Sequence, residues 1–167
     1  MTELRDGGTY IGEVRAYVFD GDLAPDVVVD PDRLGALLDQ STPTAVETNL
    51  VTNVGRAQMT KLIVGEAGPV VGYIGLTTSL TTPALTATAL TNEIFRKAVS
   101  QRVSYLTYYQ RYMAYYATTD FASTGLAGEG LFDTASTGGA MWAVTSITVS
   151  KSAAQSLVVV HLIQATT

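Results

Sequence analysis

Two long apolar segments in the last third of the sequence constrain the fold most strongly. Residues 141–150 and 155–164 are rich in Val, Ile and Thr, the residue types that favour strands over helices. A short polar link at Lys151-Ser152 separates them, which predicts a hairpin. Further strands are predicted at residues 12–19, where Asp20-Gly21-Asp22 supplies a turn, and at residues 69–76 and 125–132.

One helix is predicted between residues 48 and 64. Apolar residues recur there at helical spacing, Thr48 or Asn49 can cap the start, and Gly65 stands where a helix would stop. Residues 22–47 are rich in Asp and Pro at their start, and we interpret them as an irregular excursion. Residues 77–91 are predicted to be an extended loop.

A run of tyrosines between residues 104 and 117 is compatible with two structures. As a strand it would carry aromatic rings on both faces, and as a helix it would place most of them on one stripe. The pattern favours a strand over a helix. With the other elements, it predicts a single domain over residues 1–167 that is mainly β, a jelly-roll-like β-sandwich with one packed α-helix.

The composition indicates a chain that associates with other chains. Only 15% of the residues are charged and 47% are hydrophobic, against roughly a quarter charged in an average soluble domain. Such a chain must cover apolar surface, and obligate interfaces between subunits do so. The expected partners are other copies of the chain itself.

Other partners and compartments are disfavoured by charge and by sequence pattern. The net charge is −5, with no run of Lys or Arg, so direct binding of nucleic acid is not expected. No apolar run approaches the roughly 18 residues of a spanning helix, and the first residues carry acids and glycines; we expect synthesis in the cytoplasm and no membrane insertion. The sequence has no cysteine, which excludes disulfides and thiolate chemistry.

Several short blocks occur in an order that resembles a group of small virion proteins of tailed bacteriophages, often described as tail or fibre proteins. The blocks are Asn49-Leu50-Val51-Thr52-Asn53-Val54-Gly55, Tyr73-Ile74-Gly75-Leu76, Asn92-Glu93-Ile94-Phe95-Arg96 and Glu129-Gly130-Leu131-Phe132-Asp133, followed by a closing hairpin. The likeness covers about residues 49–163. The chain departs from the group at Gly130, where alanine is usual, at residues 76–78, and in an apparent insertion at about residues 22–47.

This resemblance implies a non-enzymatic structural component of a virion, part of a tail, baseplate or fibre, which docks to neighbouring virion proteins. A capsid decoration protein, which stabilises the head, is the alternative within the same class. It would bind the assembled lattice in preference to free subunits.

The residues able to carry chemistry have simpler structural interpretations. His161 is the only histidine, lies inside a predicted strand, and is expected to be a hydrogen-bonded structural residue. Glu129 and Asp133 could form the acid pair of a glycosidase, but for Glu129 a buried or turn-end carboxylate that pairs with an arginine such as Arg96 is favoured. The aspartates between residues 20 and 32 could bind calcium, yet they lack the expected loop pattern. We therefore predict no catalytic residue, no cofactor and no metal site.

The aromatic residues are the candidate interface. Tyrosine and tryptophan are enriched at protein interfaces because they combine large rigid area with a polar tip. Packing within one subunit and a platform for host-surface glycan are the alternatives, and the glycan platform is a second hypothesis for function. The interface candidates are Tyr105, Tyr108, Tyr109, Tyr112, Tyr115, Tyr116 and Trp142.

Overall fold

A computed structural model describes residues 10–79, 82–105, 109–136 and 138–165. The strands are β1 (Tyr10–Asp20), β2 (Ala45–Val51), β3 (Tyr73–Thr77), β4 (Glu93–Ala98), β5 (Gln101–Tyr105), β6 (Tyr109–Tyr116), β7 (Ser123–Phe132), β8 (Met141–Lys151) and β9 (Gln155–Ala165). The helices are α1 (Pro25–Val29), α2 (Pro31–Asp39) and α3 (Asn53–Ile63).

The strands form one antiparallel sheet with the order β4-β3-β7-β8-β2-β1-β9-β6-β5. The first and ninth strands pair along their whole length, from Tyr10 opposite Ala165 to Asp20 opposite Gln155. Strand β2 joins the two halves of the sheet, since it pairs with β1 on one side and with β8 on the other. One half therefore contains β4, β3, β7 and β8, and the other contains β1, β9, β6 and β5.

The sheet curls until its two edge strands meet. Strands β4 and β5 are the opposite edges, yet only Val99 and Ser100 separate them along the chain. Both linking residues are fixed by their backbone, because Val99 N–H donates to Gly72 O and Ser100 N–H to Met113 O, each at 2.8 Å. Phe95 of β4 closes the seam through an edge-to-face contact with Tyr116 of β6, at 5.9 Å between ring centroids.

The curled sheet buries one core inside and smaller apolar clusters outside. The inner core combines residues from both halves, among them Leu131, Ile147 and Val159. On the outer face of the second half, Leu34 and Leu38 of α2 pack on a cluster that includes Val158 and Val160 of β9. Successive side chains of β9 thus alternate between the inner core and α2, as a strand covered on both faces requires.

Local sequence signals explain α1 and α2. Pro25 and Pro31 each stand at the first helical position, where a proline loses no hydrogen bond. The Asp30 side chain caps α2 by accepting from Asp32 N–H (2.9 Å) and Arg33 N–H (3.1 Å). Residues 22–47 are therefore two helices and strand β2, and the predicted irregular excursion is wrong.

The mainly β prediction is confirmed, and the structure changes its details. The sandwich is one curled sheet, and it carries three described helices where one was predicted. The predicted helix begins at Asn53 with Thr52 as its cap, because residues 45–51 belong to β2. The tyrosine run is two strands, β5 and β6, which pair as a hairpin.

The predicted hairpin of β8 and β9 is wrong. Strand β8 pairs with β7 and β2, whereas β9 pairs with β1 and β6. The link between them crosses from one half of the sheet to the other, and Ala154 O accepts from Gly21 N–H at 2.9 Å beyond the end of β1. A short polar link is compatible with both arrangements, so the sequence pattern did not distinguish them.

Candidate functional site

The residues best able to carry acid–base chemistry form a buried pair. His161 of β9 and Glu129 of β7 both face the inner core, and the side chains of both are fully buried. His161 Nδ1 lies 3.0 Å from each carboxylate oxygen of Glu129. Since β7 and β9 are not neighbours in the sheet, this contact spans the core and joins the two halves.

Asn49 of β2 occupies the other ring nitrogen of His161. Its side-chain amide donates to His161 Nε2 and also to Leu162 O, at 2.9 Å for the latter. With Nε2 accepting, the hydrogen is on Nδ1 and is donated to Glu129. Asn49 reaches β9 by crossing over Gly12 of β1, where a Cβ would lie 2.6 Å from the Asn49 amide.

This arrangement resembles half of a hydrolytic triad but does not work as one. In such triads the carboxylate orients the imidazole, whose second nitrogen activates a nucleophile that the substrate can reach. Here an amide takes the second nitrogen, and both partners lie in the core without solvent access. The geometry supports a structural role, as predicted for His161.

The predicted ion pair between Glu129 and Arg96 is wrong. Arg96 instead makes a bidentate pair with Glu93, with both N···O distances at 2.6 Å, and its guanidinium lies 3.5 Å from the centroid of the Phe132 ring. It also donates to Ser136 O at 2.7 Å and so holds the turn after β7. Glu129 points into the core, where no cation from the β4 edge reaches it.

The second carboxylate of the glycosidase hypothesis has its own partner. Asp133 accepts from Ala140 N–H at 2.8 Å and closes the turn between β7 and β8. Glu129 is enclosed in the core. The two carboxylates therefore do not flank an open cleft.

The aspartates between residues 20 and 32 are used within the chain. Asp22 accepts from Tyr115 Oη (2.7 Å), Thr118 N–H (2.7 Å) and Thr118 Oγ1 (2.9 Å). These bonds lower the pKa of Asp22, and the bond from the Thr118 backbone has the largest effect. Asp30 caps α2, and Asp26 pairs with Arg33. Within the four described stretches, no three Asp, Glu or His side chains gather at a point where they could hold a metal ion.

Three of the interface candidates lie in the core of the single chain. Tyr116 and Trp142 are 0% and 2% exposed, and Tyr112 is 9% exposed. Tyr116 donates to Ile74 O at 2.9 Å, and burial raises its pKa well above the ordinary value of 10.0. The expectation that these three rings bury against neighbouring chains is corrected, because they have almost no surface left to bury.

The other tyrosines are placed differently. Tyr109 and Tyr115 are half-buried beside the α2 cluster, and Tyr115 Oη accepts from Leu23 N–H at 3.0 Å while donating to Asp22. The polar tip of Tyr115 is thus already used. Tyr108 lies outside the described residues, as does the side chain of Tyr105.

Lys151 is a buried cation that the sequence analysis missed. Its side chain is fully buried at the end of β8 and donates to Phe121 O at 2.5 Å. Burial lowers its pKa, against the raising effect of Asp120 and Asp22. The alternation of β8 could have revealed it, since Lys151 continues the inward set of Ala143, Ile147 and Val149.

A shallow hollow of about 670 Å³ lies near the ends of β1 and β8. Its lining includes one ionisable side chain, Asp20, whose carboxylate accepts from Gln155 at 3.3 Å. Thr44, Thr148 and Ser150 supply the hydroxyl groups. One exposed carboxylate without an acid, base or cation beside it makes this hollow a poor candidate for catalysis.

Large apolar side chains are exposed around α3. Three of the exposed large hydrophobic residues lie on this helix or in the segment that follows it, and Leu85 lies in the loop before β4, where its carbonyl accepts from Asn53 N–H at the start of the helix. We call these four residues the α3 surface: Leu62, Val64, Val70 and Leu85. Val29 on α1, Val46 on β2 and Ile94 on β4 are exposed elsewhere. Large contiguous apolar patches on a protein surface mark interaction sites, whereas singly exposed apolar side chains are ordinary.

None of the helices in the described residues has the length and apolar character needed to cross a membrane. Comparisons with protein-family models, curated proteins and solved structures find no match for this chain. Function must therefore be argued from the residues themselves.

Proposed function

We propose that this chain is a non-enzymatic structural protein that works by associating with copies of itself and with neighbouring proteins of a tailed-phage virion, as a tail, baseplate or fibre component. The α3 surface is the observation that carries the assembly part of the proposal. Its four apolar side chains are 40–65% exposed, and covering them against another chain removes this apolar area from water.

The placement of the ionisable residues supports a non-enzymatic role. Glu129 and His161 are the carboxylate and the imidazole that could work together. Both side chains are buried in the core, and they form a hydrogen bond with each other. Lys151 is likewise buried among backbone carbonyls. A catalytic pair needs a route for the substrate, and these groups are placed where they stabilise the fold.

The virion part of the proposal is supported by the order of the sequence blocks. The block that includes Asn49 and Thr52 supplies the core amide and the cap of α3, and the block that begins at Glu129 supplies the core carboxylate. These blocks therefore correspond to residues with defined structural roles. The capsid decoration protein remains the alternative within the same class.

Light scattering on the purified chain, measured from low to high protein concentration, tests the assembly function. We expect a mass above 17.7 kDa, which is a fixed multiple of it for a closed oligomer and grows with concentration for a filament. A monomer at every concentration would contradict self-association. Immunogold labelling of phage particles that carry the protein then separates the two locations, since label on tails supports the tail component and label on heads supports decoration.

A further inference from the structure

We propose that copies of this chain associate head to tail, with the α3 surface of one copy against the α1–α2 surface of the next. The α1–α2 surface is formed by residues 25–39. This inference rests on the proposed assembly function and names the two surfaces that meet. A second copy is the occupant in question because the two surfaces are complementary in charge.

The α3 surface is apolar with a positive component. Helix α3 contains Arg56 and Lys61 and no acidic residue, and Glu66 follows it, leaving a net charge of +1 over residues 53–70. The segment after the helix runs back beside it, since a Cβ on Gly68 would lie 3.3 Å from Gln58 Oε1. This return brings Gly68, two residues before Val70, alongside the helix.

The segment before β4 adds a further apolar side chain to the same surface. Leu85 O accepts from Asn53 N–H at 2.8 Å, which places Leu85 at the start of α3. Leu62 and Val64 lie at the other end of the helix. Exposed apolar side chains therefore lie near both ends of α3, in a chain whose overall charge is −5.

The α1–α2 surface has the opposite charge. Four aspartates and one arginine give residues 25–39 a net charge of −3, more than half of the net charge of the whole chain. Asp32 and Asp39 are exposed, and so is Asp26, although it pairs with Arg33. Val29, at 75% exposure, is the most exposed of the large hydrophobic side chains described, so this surface also offers an apolar contact.

The two surfaces lie on different parts of the sheet. Helix α2 packs on β1, β6 and β9, and a Cβ on Gly35 would lie 2.8 Å from an Arg111 nitrogen. Helix α3 packs on β8, where a Cβ on Gly55 would lie 2.1 Å from Trp142 O. One copy can therefore use both surfaces at once, and such a heterologous contact generates a ring or a filament.

Charge exchange across the interface tests this arrangement. Lys61→Glu makes the α3 surface negative, and the double variant Asp32→Lys/Asp39→Lys makes the α1–α2 surface positive. Each variant alone then sets like charges against each other, and we expect its self-association to weaken at least tenfold by light scattering. An equimolar mixture should regain the wild-type mass, because each variant now offers the surface that the other needs.

Glu47→Lys is the control, since it changes the charge by two units at an exposed position on β2, outside both surfaces. That change is as large as in Lys61→Glu and half as large as in the double variant. Unfolding temperatures near that of the wild type show that the variants are folded. Val64→Ser removes an apolar contact without a charge change and should also weaken association.

The outcomes distinguish this inference from the proposed function. If the wild type associates and the charge variants associate equally well, or if their mixture stays monomeric, the pairing of these two surfaces is wrong while assembly stands. If the wild type is a monomer at every concentration, both proposals fail.

Discussion

The contact between Glu129 and His161 shows how ionisable side chains are accommodated inside this core. A buried charge without a partner costs several kcal/mol, whereas a paired and hydrogen-bonded one is tolerated. Glu129 pairs with His161, and Asn49 occupies the remaining ring nitrogen. The three side chains come from three different strands, so each fixes the placement of the other two.

Removal of one member of this pair should destabilise the fold strongly. We expect Glu129→Leu to lower the free energy of unfolding by about 3–5 kcal/mol, because His161 is left without its acceptor in the core. Urea unfolding measures the loss, and Glu47→Leu on the exposed part of β2 should change stability by no more than about 0.5 kcal/mol.

The double variant Glu129→Leu/His161→Leu separates pairing from packing. We expect it to lose less stability than the sum of the single variants, with a coupling of about 1–3 kcal/mol. Additive losses would mean that the two side chains stabilise the fold independently.

Tyr116 should make the protein sensitive to alkali. Burial, and then the charges of Glu129, Asp120 and Glu93, raise its pKa well above 10.0. Between the ordinary pKa and the folded pKa, the unfolded chain loses the tyrosine proton while the folded chain keeps it. Stability is therefore full below pH 10 and falls as the pH rises above it.

Unfolding free energies of the wild type and Tyr116→Phe at about pH 8 and about pH 11 check this effect. The variant should be about 1 kcal/mol less stable at the lower pH, because it loses the hydrogen bond to Ile74 O. Between the lower and the higher pH, the unfolding free energy of Tyr116→Phe should fall by less than that of the wild type. The lowered pKa of Lys151 has the opposite effect on stability, but both proteins retain Lys151. An equal fall in unfolding free energy between the two pH values in both proteins would exclude Tyr116 as the cause.

At the scale of helices and strands, prediction from sequence succeeded where the signal was local. The strand patterns at residues 12–19 and 155–164 located β1 and β9, and the spacing of apolar residues located α3 to within a few residues. The prediction failed for residues 22–47, where the Asp and Pro content indicated an irregular segment although two helices form. At Gly35 of α2 a Cβ would lie 2.8 Å from a guanidinium nitrogen of Arg111 on β6, a contact that no local pattern contains.

The pairing of strands and the contacts of the core were also beyond local patterns. The sequence indicated that His161 is structural, but it did not indicate its partner. Glu129 lies 32 residues away along the chain and in the other half of the sheet, and the two side chains meet across the core. The burial of Tyr116 and Trp142 likewise depends on how the sheet curls. Such contacts are set by the tertiary fold rather than by residue type.

Strand β1 depends on a small residue where Asn49 crosses it. At Gly12 a Cβ would lie 2.0 Å from Leu162 O and 2.6 Å from the Asn49 side chain. We expect Gly12→Ala to lower the free energy of unfolding by about 2 kcal/mol or more, since the backbone oxygen can move only with β9.

Gly125→Ala on β7 is the matched control, because nothing lies within 4 Å of the Cβ position there. Thermal unfolding compares the two variants. Equal unfolding temperatures would show that β1 and β9 adjust to the extra methyl group.

At the scale of the whole molecule, the short link between β4 and β5 holds the curled sheet closed. Val99 and Ser100 bond to Gly72 and Met113, which belong to opposite halves of the sheet. The halves are therefore joined at this seam, at β2, and across the core by Glu129 and His161.

Lengthening this link should loosen the closure. Two glycines inserted between Val99 and Ser100 should cost about 1–3 kcal/mol of unfolding free energy, the net contribution of two backbone hydrogen bonds. The same insertion between Glu66 and Ala67, in an exposed segment, should cost about 0.5 kcal/mol, an entropic effect of loop length. Denaturant unfolding measures both losses. Equal losses would show that the link between β4 and β5 does not stabilise the closed sheet.

The pairing of β1 with β9 also determines when the protein can fold during its synthesis. Strand β1 leaves the ribosome first, but the strand that covers one of its edges ends at residue 165. Until then β1 has β2 on one side and an open edge on the other, and the carboxylate of Glu129 has no imidazole to meet. A growing chain therefore cannot complete its sheet until β9 emerges from the exit tunnel, and during that interval one edge of β1 is open to pairing with other chains.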